Sequence, residues 1–495
     1  MSQQSSTAVL NLNNIQGDIL SGLPKKTQTY FFFAITDVKL FRSQLSHLVP
    51  FIKTTSQALD DRKKIDDHKK KGNKTLIEMV GVNIAFSHQG FVKLGINDTT
   101  LTNTEPSFKQ GQKQNAESLG DKGTRSGSNF VPDWEPEFLQ EIHAVILISG
   151  DSHETVNKKF DEVRGIFGLG PVNQQNPASI KEVTTIVGDV RPGEESGHEH
   201  FGFLDGISNP SVIGFDKNPI PGTKPVRAGV LVTGHDGDPS TSPRPTWAVD
   251  GSYLSFRYLF QQVPEFNKFL AENPVPFPGL TPKEGSELLG ARLMGRWKSG
   301  QAFPYGHRDN RLMLGFVRVN NFRYQAESTF QKMCPFAAHT RKTNPRADLE
   351  DFFGPIENNR IARRGVQFGP ELTKDEIISK KTAHARGLLF VCYSTSIENG
   401  FAFIQRTWAN SANFPPQAAN AGVDAGCVDL VSETSPILSM DRLDPIIGQG
   451  KRTIVGTDPN DPTKNLSLPD FVIPRGGEYF FSPSIKGLKE TLATA

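Results

Sequence analysis

An α+β or α/β fold is what this sequence predicts, and three features predict it. Short runs rich in β-branched and aromatic residues, bounded by Gly, Pro or charge, recur at 30–35, 144–149, 183–187, 229–233, 253–260, 388–393 and 478–481. Such runs read as buried strands. Helix-length stretches at 37–59 and 284–297 lie between them, so the two element types alternate through both halves of the chain. Near the middle, the Pro/Gly-rich passage 214–251 carries Asn218-Pro-Ile-Pro-Gly-Thr-Lys-Pro225 and Asp238-Pro-Ser-Thr-Ser-Pro-Arg-Pro245. It reads as a linker between two similar halves, 1–235 and 236–495.

The remaining segments follow from the same reasoning. Residues 107–129 and 410–439 are long and short of periodic apolar residues, which marks them as surface excursions or lids. The charged run 60–71 reads as a solvated helix end, and the acidic residues Asp348, Glu350 and Asp351 as a solvated loop.

Composition narrows the function classes. With 495 residues the chain can build a core large enough to enclose a cofactor. A net charge of +2 gives no footprint for nucleic acid or acidic membranes. No apolar run approaches the ~18 residues of a membrane span. The first residues lack the basic and apolar regions of a secretory leader, and sequons begin at Asn73, Asn97 and Asn465, so the compartment stays open. Three cysteines, Cys334, Cys392 and Cys427, cannot form a disulfide framework. The chain holds 35 Phe against 7 Tyr, 4 Trp and 6 Met. It thus fills aromatic space with the ring hardest to oxidise, which suits a protein that makes oxidants, although simple core packing gives the same bias.

Three motifs carry chemistry. Gly202-Phe-Leu-Asp205-Gly206 offers a carboxylate, though an Asp-Gly turn alone accounts for its glycines. Cys334-Pro-Phe-Ala-Ala-His339-Thr-Arg341-Lys-Thr-Asn-Pro-Arg346 offers an imidazole, and Arg363-Arg-Gly-Val-Gln-Phe-Gly369 a fixed positive charge. An iron ligand, a proton carrier and a charge stabiliser are what a haem peroxidase needs on the two faces of its porphyrin. A cytochrome c is excluded, because no Cys-x-x-Cys-His is present.

In order and spacing these motifs resemble the dye-decolorizing peroxidases, over nearly the whole chain. Asn13-Asn-Ile-Gln-Gly-Asp-Ile-Leu20, Phe403-Ile-Gln405, Asp444-Pro-Ile-Ile-Gly448 and Tyr479-Phe-Phe481 resemble them too, and the long loops suggest the fungal type. The resemblance implies an α+β fold of two ferredoxin-like halves, antiparallel sheets with helices outside, and haem b (iron protoporphyrin IX) in a cavity of the C-terminal half. It implies hydrogen peroxide as oxidant, a ferryl intermediate, and dyes, phenols and other aromatics as reductants, in a monomer or homodimer.

Residue by residue, His339 is similar to the proximal iron ligand. Its carboxylate partner is expected at Asp444, with Asp441 and Asp429 as neighbours in sequence that keep the choice open. Arg341 is expected on a haem propionate. Asp205 is similar to the distal acid–base residue and implies an acidic optimum, since carboxylates titrate near ~4. Arg363 is similar to the distal arginine. Leu388 and Phe390, two apart on a strand, share a face and resemble the apolar roof of the distal pocket. Trp408 corresponds to a surface radical site of some relatives, whereas Phe368 stands where others use a tyrosine. The alternative is a haem-binding or iron-handling protein without peroxidase turnover; it would keep His339 but would not need both Asp205 and Arg363.

Overall fold

Among the described residues nine strands join into one antiparallel sheet, and each half of the chain contributes the same arrangement. In this computed structural model, residues 9–170, 177–219, 221–302, 320, 322, 334–346, 348–350, 356–415, 443–450, 452–454, 457–458, 460–461 and 464–494 are described. The N-terminal half runs β1 (Thr27–Ile35), α1 (Val38–Leu48), α2 (Thr55–Lys70), β2 (Val80–Phe86), β3 (Ala144–Gly150), α3 (His153–Ile166) and β4 (Ile180–Asp189). The C-terminal half runs β5 (Ser252–Gln261), α4 (Val263–Glu272), α5 (Pro282–Met294), α6 (His339–Thr343), β6 (Ala362–Arg363), β7 (Val366–Phe368), β8 (Gly387–Ser394) and β9 (Val472–Ser482).

Within each half the sheet order is second, third, first, fourth strand: β2-β3-β1-β4, and β6/β7-β8-β5-β9. That order, with helices in the first and second crossovers, is the ferredoxin-like pattern. The halves are joined where Phe481 of β9 pairs with Phe86 of β2. At the opposite edge Gly188 of β4 approaches Val366 and the Gln367 carbonyl of β7 so closely that a side chain would collide. The sheet thereby curls towards a barrel. Its inward face packs Tyr30, Phe32, Phe256, Leu389, Val391 and Phe480. The outward face of the N-terminal half packs Phe31, Phe33, Ile84 and Ile146 under its helices.

Several sequence expectations change. The stretch 37–59 is two helices, because Pro50 ends α1 in a short 3₁₀ turn and Thr54 starts α2 with a capping box to Gln57. The run 229–233 is no strand. Its Val230, Leu231 and Val232 are buried, but Gly229 donates to Asp236 O in a tight turn instead of joining a ladder. Apolar burial alone does not distinguish those outcomes. Strand β2 escaped prediction; its Gly81 and Asn83 interrupt the pattern, and pairing with β3 overrides the weak local preference. Residues 107–129 are no free excursion, since Gln112, Asn115, Leu119 and Asp121 are buried. Asp121 meets Arg257 of β5 in a buried bidentate pair at 2.6 and 2.9 Å. Among the described residues no helix is long and apolar enough to cross a membrane.

Gly387 opens β8 where a Cβ would lie 1.9 Å from the Leu259 carbonyl of β5. Gly387→Ala is therefore expected to lose about 1–3 kcal/mol through forced strand separation. Thermal unfolding would show it as a lowered Tm, and an unchanged Tm would contradict the packing described.

Candidate active site

The outward face of β5 and β8 differs from that of the N-terminal half: it borders a cavity of about 770 Å³. This lies within the range of enclosed ligand sites. Leu259 and Arg257 of β5 stand opposite Leu388 and Phe390 of β8 in the ladder, and all four line the cavity. Their alternates Leu389 and Val391 point into the barrel.

His339 reaches the cavity from the first residue of α6. Its segment turns at Pro335, whose carbonyl accepts from the Ala338 amide at 3.0 Å. The helix is held from behind by Arg341, whose Nε and Nη2 donate to Asp348 at 2.6 and 2.8 Å, both side chains fully buried. His339 Nδ1 lies 2.9 Å from Asp444 Oδ2. The other oxygen of Asp444 accepts from the amides of Ile446 (2.8 Å) and Ile447 (3.0 Å). Burial pushes the Asp444 carboxyl up, but His339 and those amides outweigh it and hold it below the ordinary value. An anionic carboxylate on Nδ1 makes that nitrogen the donor and leaves the ring's lone pair on Nε2.

Asp205 and Arg363 line the same cavity and are hydrogen-bonded to each other, Arg363 Nη1 donating to Asp205 Oδ1. Asn209 brackets the arginine backbone, accepting from Arg363 N at 2.9 Å and donating to its carbonyl at 3.2 Å. Burial pushes the Asp205 carboxyl up, while the charge and hydrogen bond of Arg363, helped by the Gly206 amide, bring it below its ordinary value. The side chain is 28 % exposed, so it is reachable from the cavity.

The structure thus gathers His339, Asp444, Asp205, Arg363, Leu388 and Phe390 at one site. Two expectations are corrected. Arg341 does not line the cavity: Asp348 takes its fork, and it serves as an anchor for α6. Guanidiniums that do line the cavity include Arg296 and Arg346, both stacked on Phe322. Trp408 is not at the surface. It is 3 % exposed, stacked on Phe414 at 5.3 Å and edge-on to Phe403. Phe368 packs against Tyr258 and Phe260. The acidic residues are not a solvated loop, for Asp348 is paired with Arg341 and Glu350 with Arg360 and Lys224. Asp351, Asp429, Asp441 and Cys427 lie outside the described residues. Sequence reasoning passed over Asn209 and Glu199, whose only signal was their place beside the Gly-x-x-Asp-Gly turn.

The lining suits haem. Leu259, Met294, Leu388, Phe390, Phe401 and Ile446 give apolar walls for a flat macrocycle, and Arg296 and Arg346 give cationic groups for its carboxylates. Among the described residues no three His, Cys, Asp or Glu converge as a metal site, and the imidazole that lines the cavity is His339.

Comparison with known proteins gives the family. Residues 14–192 match the family model described as the DyP dimeric alpha+beta barrel domain, and residues 198–415 the Dyp-type peroxidase C-terminal model. A dye-decolorizing peroxidase of Mycena epipterygia is 39% identical over 98% of this chain and 87% of its own. A solved variant of the dye-decolorizing peroxidase from Pleurotus ostreatus superposes with a TM-score of 0.90 at 50% identity, covering 99% of this chain and 100% of that one. Another dye-decolorizing peroxidase, solved in complex with 2,6-dimethoxyphenol, gives 0.82 at 38% identity over 98% and 100%. The chain belongs to the dye-decolorizing peroxidases of the fungal type. Its activity is that of a haem peroxidase.

Arg363→Leu removes the charge that holds Asp205 low, so the carboxyl pKa rises and its basic form is lost at higher pH. The expected result is a fall of about 10²-fold in kcat/KM for peroxide, with the acid limb of its pH profile moved upward. A limb that stays in place or moves down would contradict the electrostatic coupling.

Proposed function

We propose that this enzyme uses hydrogen peroxide to oxidise aromatic dyes and phenols, with haem b held non-covalently through His339. The observation that carries the reading is the joint presence, on one cavity, of an imidazole oriented by a buried carboxylate and a carboxylate–guanidinium pair. The absence of a Cys-x-x-Cys-His attachment motif favours the b-type cofactor, and the phenol complex of a relative favours aromatic reductants. A haem-binding protein without turnover would have no use for the Asp205–Arg363 pair.

When bound, the haem supplies the redox chemistry, giving two electrons to peroxide and recovering them singly from reductants. His339 Nε2 would hold the iron, and Arg296 and Arg346 the propionates. Asp444 keeps the imidazole electron-rich by accepting a hydrogen bond from its Nδ1–H. Asp205 accepts the proton of the near peroxide oxygen and returns it to the departing oxygen. Because its carboxyl sits below the ordinary range, it stays ionised in acid, which favours an acidic optimum. Arg363 stabilises the negative charge that develops on the leaving oxygen. Leu388 and Phe390 keep the approach narrow, so peroxide enters while bulky dyes react elsewhere.

His339→Ala is expected to abolish both the Soret band and peroxidase turnover of the purified protein; a variant that remained equally red and active would end the assignment. Asp444→Asn is expected to keep the Soret band and raise the ferric/ferrous midpoint potential, measured by spectroelectrochemistry.

A further inference from the structure

The turn that carries Asp205 is wrapped around a second, half-buried carboxylate, that of Glu199. His198 and Leu204 form an antiparallel bridge, Glu199 N donates to Phe203 O at 3.0 Å, and Asp205 N donates to Gly197 O at 2.9 Å. Gly202, at φ +91°, makes the reversal, and its amide returns to Glu199 O at 2.8 Å. A positive φ here favours glycine for backbone reasons alone. Inside this small hairpin the Glu199 carboxylate accepts from Phe203 N (2.9 Å, Oε1), Phe201 N (2.8 Å, Oε2) and Gln261 Nε2 (2.5 Å, Oε2).

Glu199 lines the cavity together with Asp205. Among the described residues, none of the ion pairs includes its carboxylate; Arg191 reaches only its backbone carbonyl, at 2.8 Å. A half-buried carboxylate whose direct hydrogen bonds all come from neutral donors is costly to desolvate. A hairpin of this size does not require one, since neutral acceptors can bind backbone amides.

The connection to Gln261 explains the arrangement. Gln261 ends β5, and its amide donates to Arg386 O at the start of β8, the strand that bears Leu388 and Phe390. Glu199 therefore fastens the Asp205 hairpin to the strand pair that forms the cavity wall. We propose that Glu199 is the positioning residue for Asp205, fixing that carboxylate against Arg363 and the cavity for proton transfer. This rests on the reading of Asp205 as the distal acid–base group. A glutamine at 199 would present one N–H donor towards the donors of Phe201, Phe203 and Gln261, so the hairpin must open. Displacement by about 1 Å costs about 10²-fold in a reaction that depends on alignment.

The test is a double-mutant cycle on the haem-loaded enzyme with cyanide as probe, because hydrogen cyanide needs a distal base to take its proton before the anion binds iron. Glu199→Gln, Asp205→Asn and the double variant are compared for cyanide affinity by Soret titration, with haem content and Tm recorded. The expected result is that Glu199→Gln weakens cyanide at least tenfold at unchanged haem content, and adds nothing in the Asp205→Asn background. Full additivity, or wild-type affinity in Glu199→Gln, would overturn the proposal. An Asp205→Asn variant with wild-type affinity would overturn the reading of Asp205 itself, and the proposal with it. If Glu199→Gln does not fold, Gln261→Leu decides: a loss of affinity that disappears in the Asp205→Asn background supports the positioning role, and wild-type affinity overturns it.

Discussion

The period of two along β5 and β8 is the constraint on which the site depends. Leu389, Val391 and Phe256 go inward, where they fill the space enclosed by the curled sheet. Leu388, Phe390, Leu259 and Arg257 are thereby committed to the cavity. A slip of one residue would exchange the two sets and destroy the barrel interior and the cavity wall together. The wall is therefore as strongly specified as the core behind it.

Buried charge does a different task, which is to secure loops that no ladder holds. Arg341 and Asp348 fasten the segment bearing His339, Arg257 and Asp121 fasten the 107–129 region to β5, and Arg386 and Glu376 fasten the entry to β8. Removing one partner of such a pair leaves an uncompensated buried charge, at a cost of about 3–5 kcal/mol. These pairs contribute less to net stability than to restricting where each loop can sit, and that restriction keeps donor and acceptor atoms at the cavity in register. The Asp205–Arg363 pair differs, being partly exposed and lining the cavity.

Trp408 and Arg341 show how a residue can occupy its expected sequence position and an unexpected environment. Both lie within a few residues of well-marked motifs, and both turn away from the surface or cavity expected of them. For Arg341 the reason is Asp348, a carboxylate seven residues on that α6 and the following turn bring within 2.6 Å. For Trp408 it is Phe414, which folds back from just beyond the π-helical turn Ile404–Ala409 to cover the indole.

Much of the chemistry was legible before folding. The imidazole, carboxylate and guanidinium stand in short motifs with distinctive neighbours, and the aromatic and β-branched runs announced most strands of an α+β sheet. Glu199 was invisible in that sense, because its importance lies in three donors, one of them from Gln261, 62 residues away. The choice of Asp444 over its neighbours, the loss of Arg341 from the cavity, the burial of Trp408 and the absence of a strand at 229–233 were likewise decided only in three dimensions. Local sequence determines which groups are present and what backbone they favour. Which polar atoms meet is set by long-range packing, where burial makes every unsatisfied donor or charge too costly to leave alone.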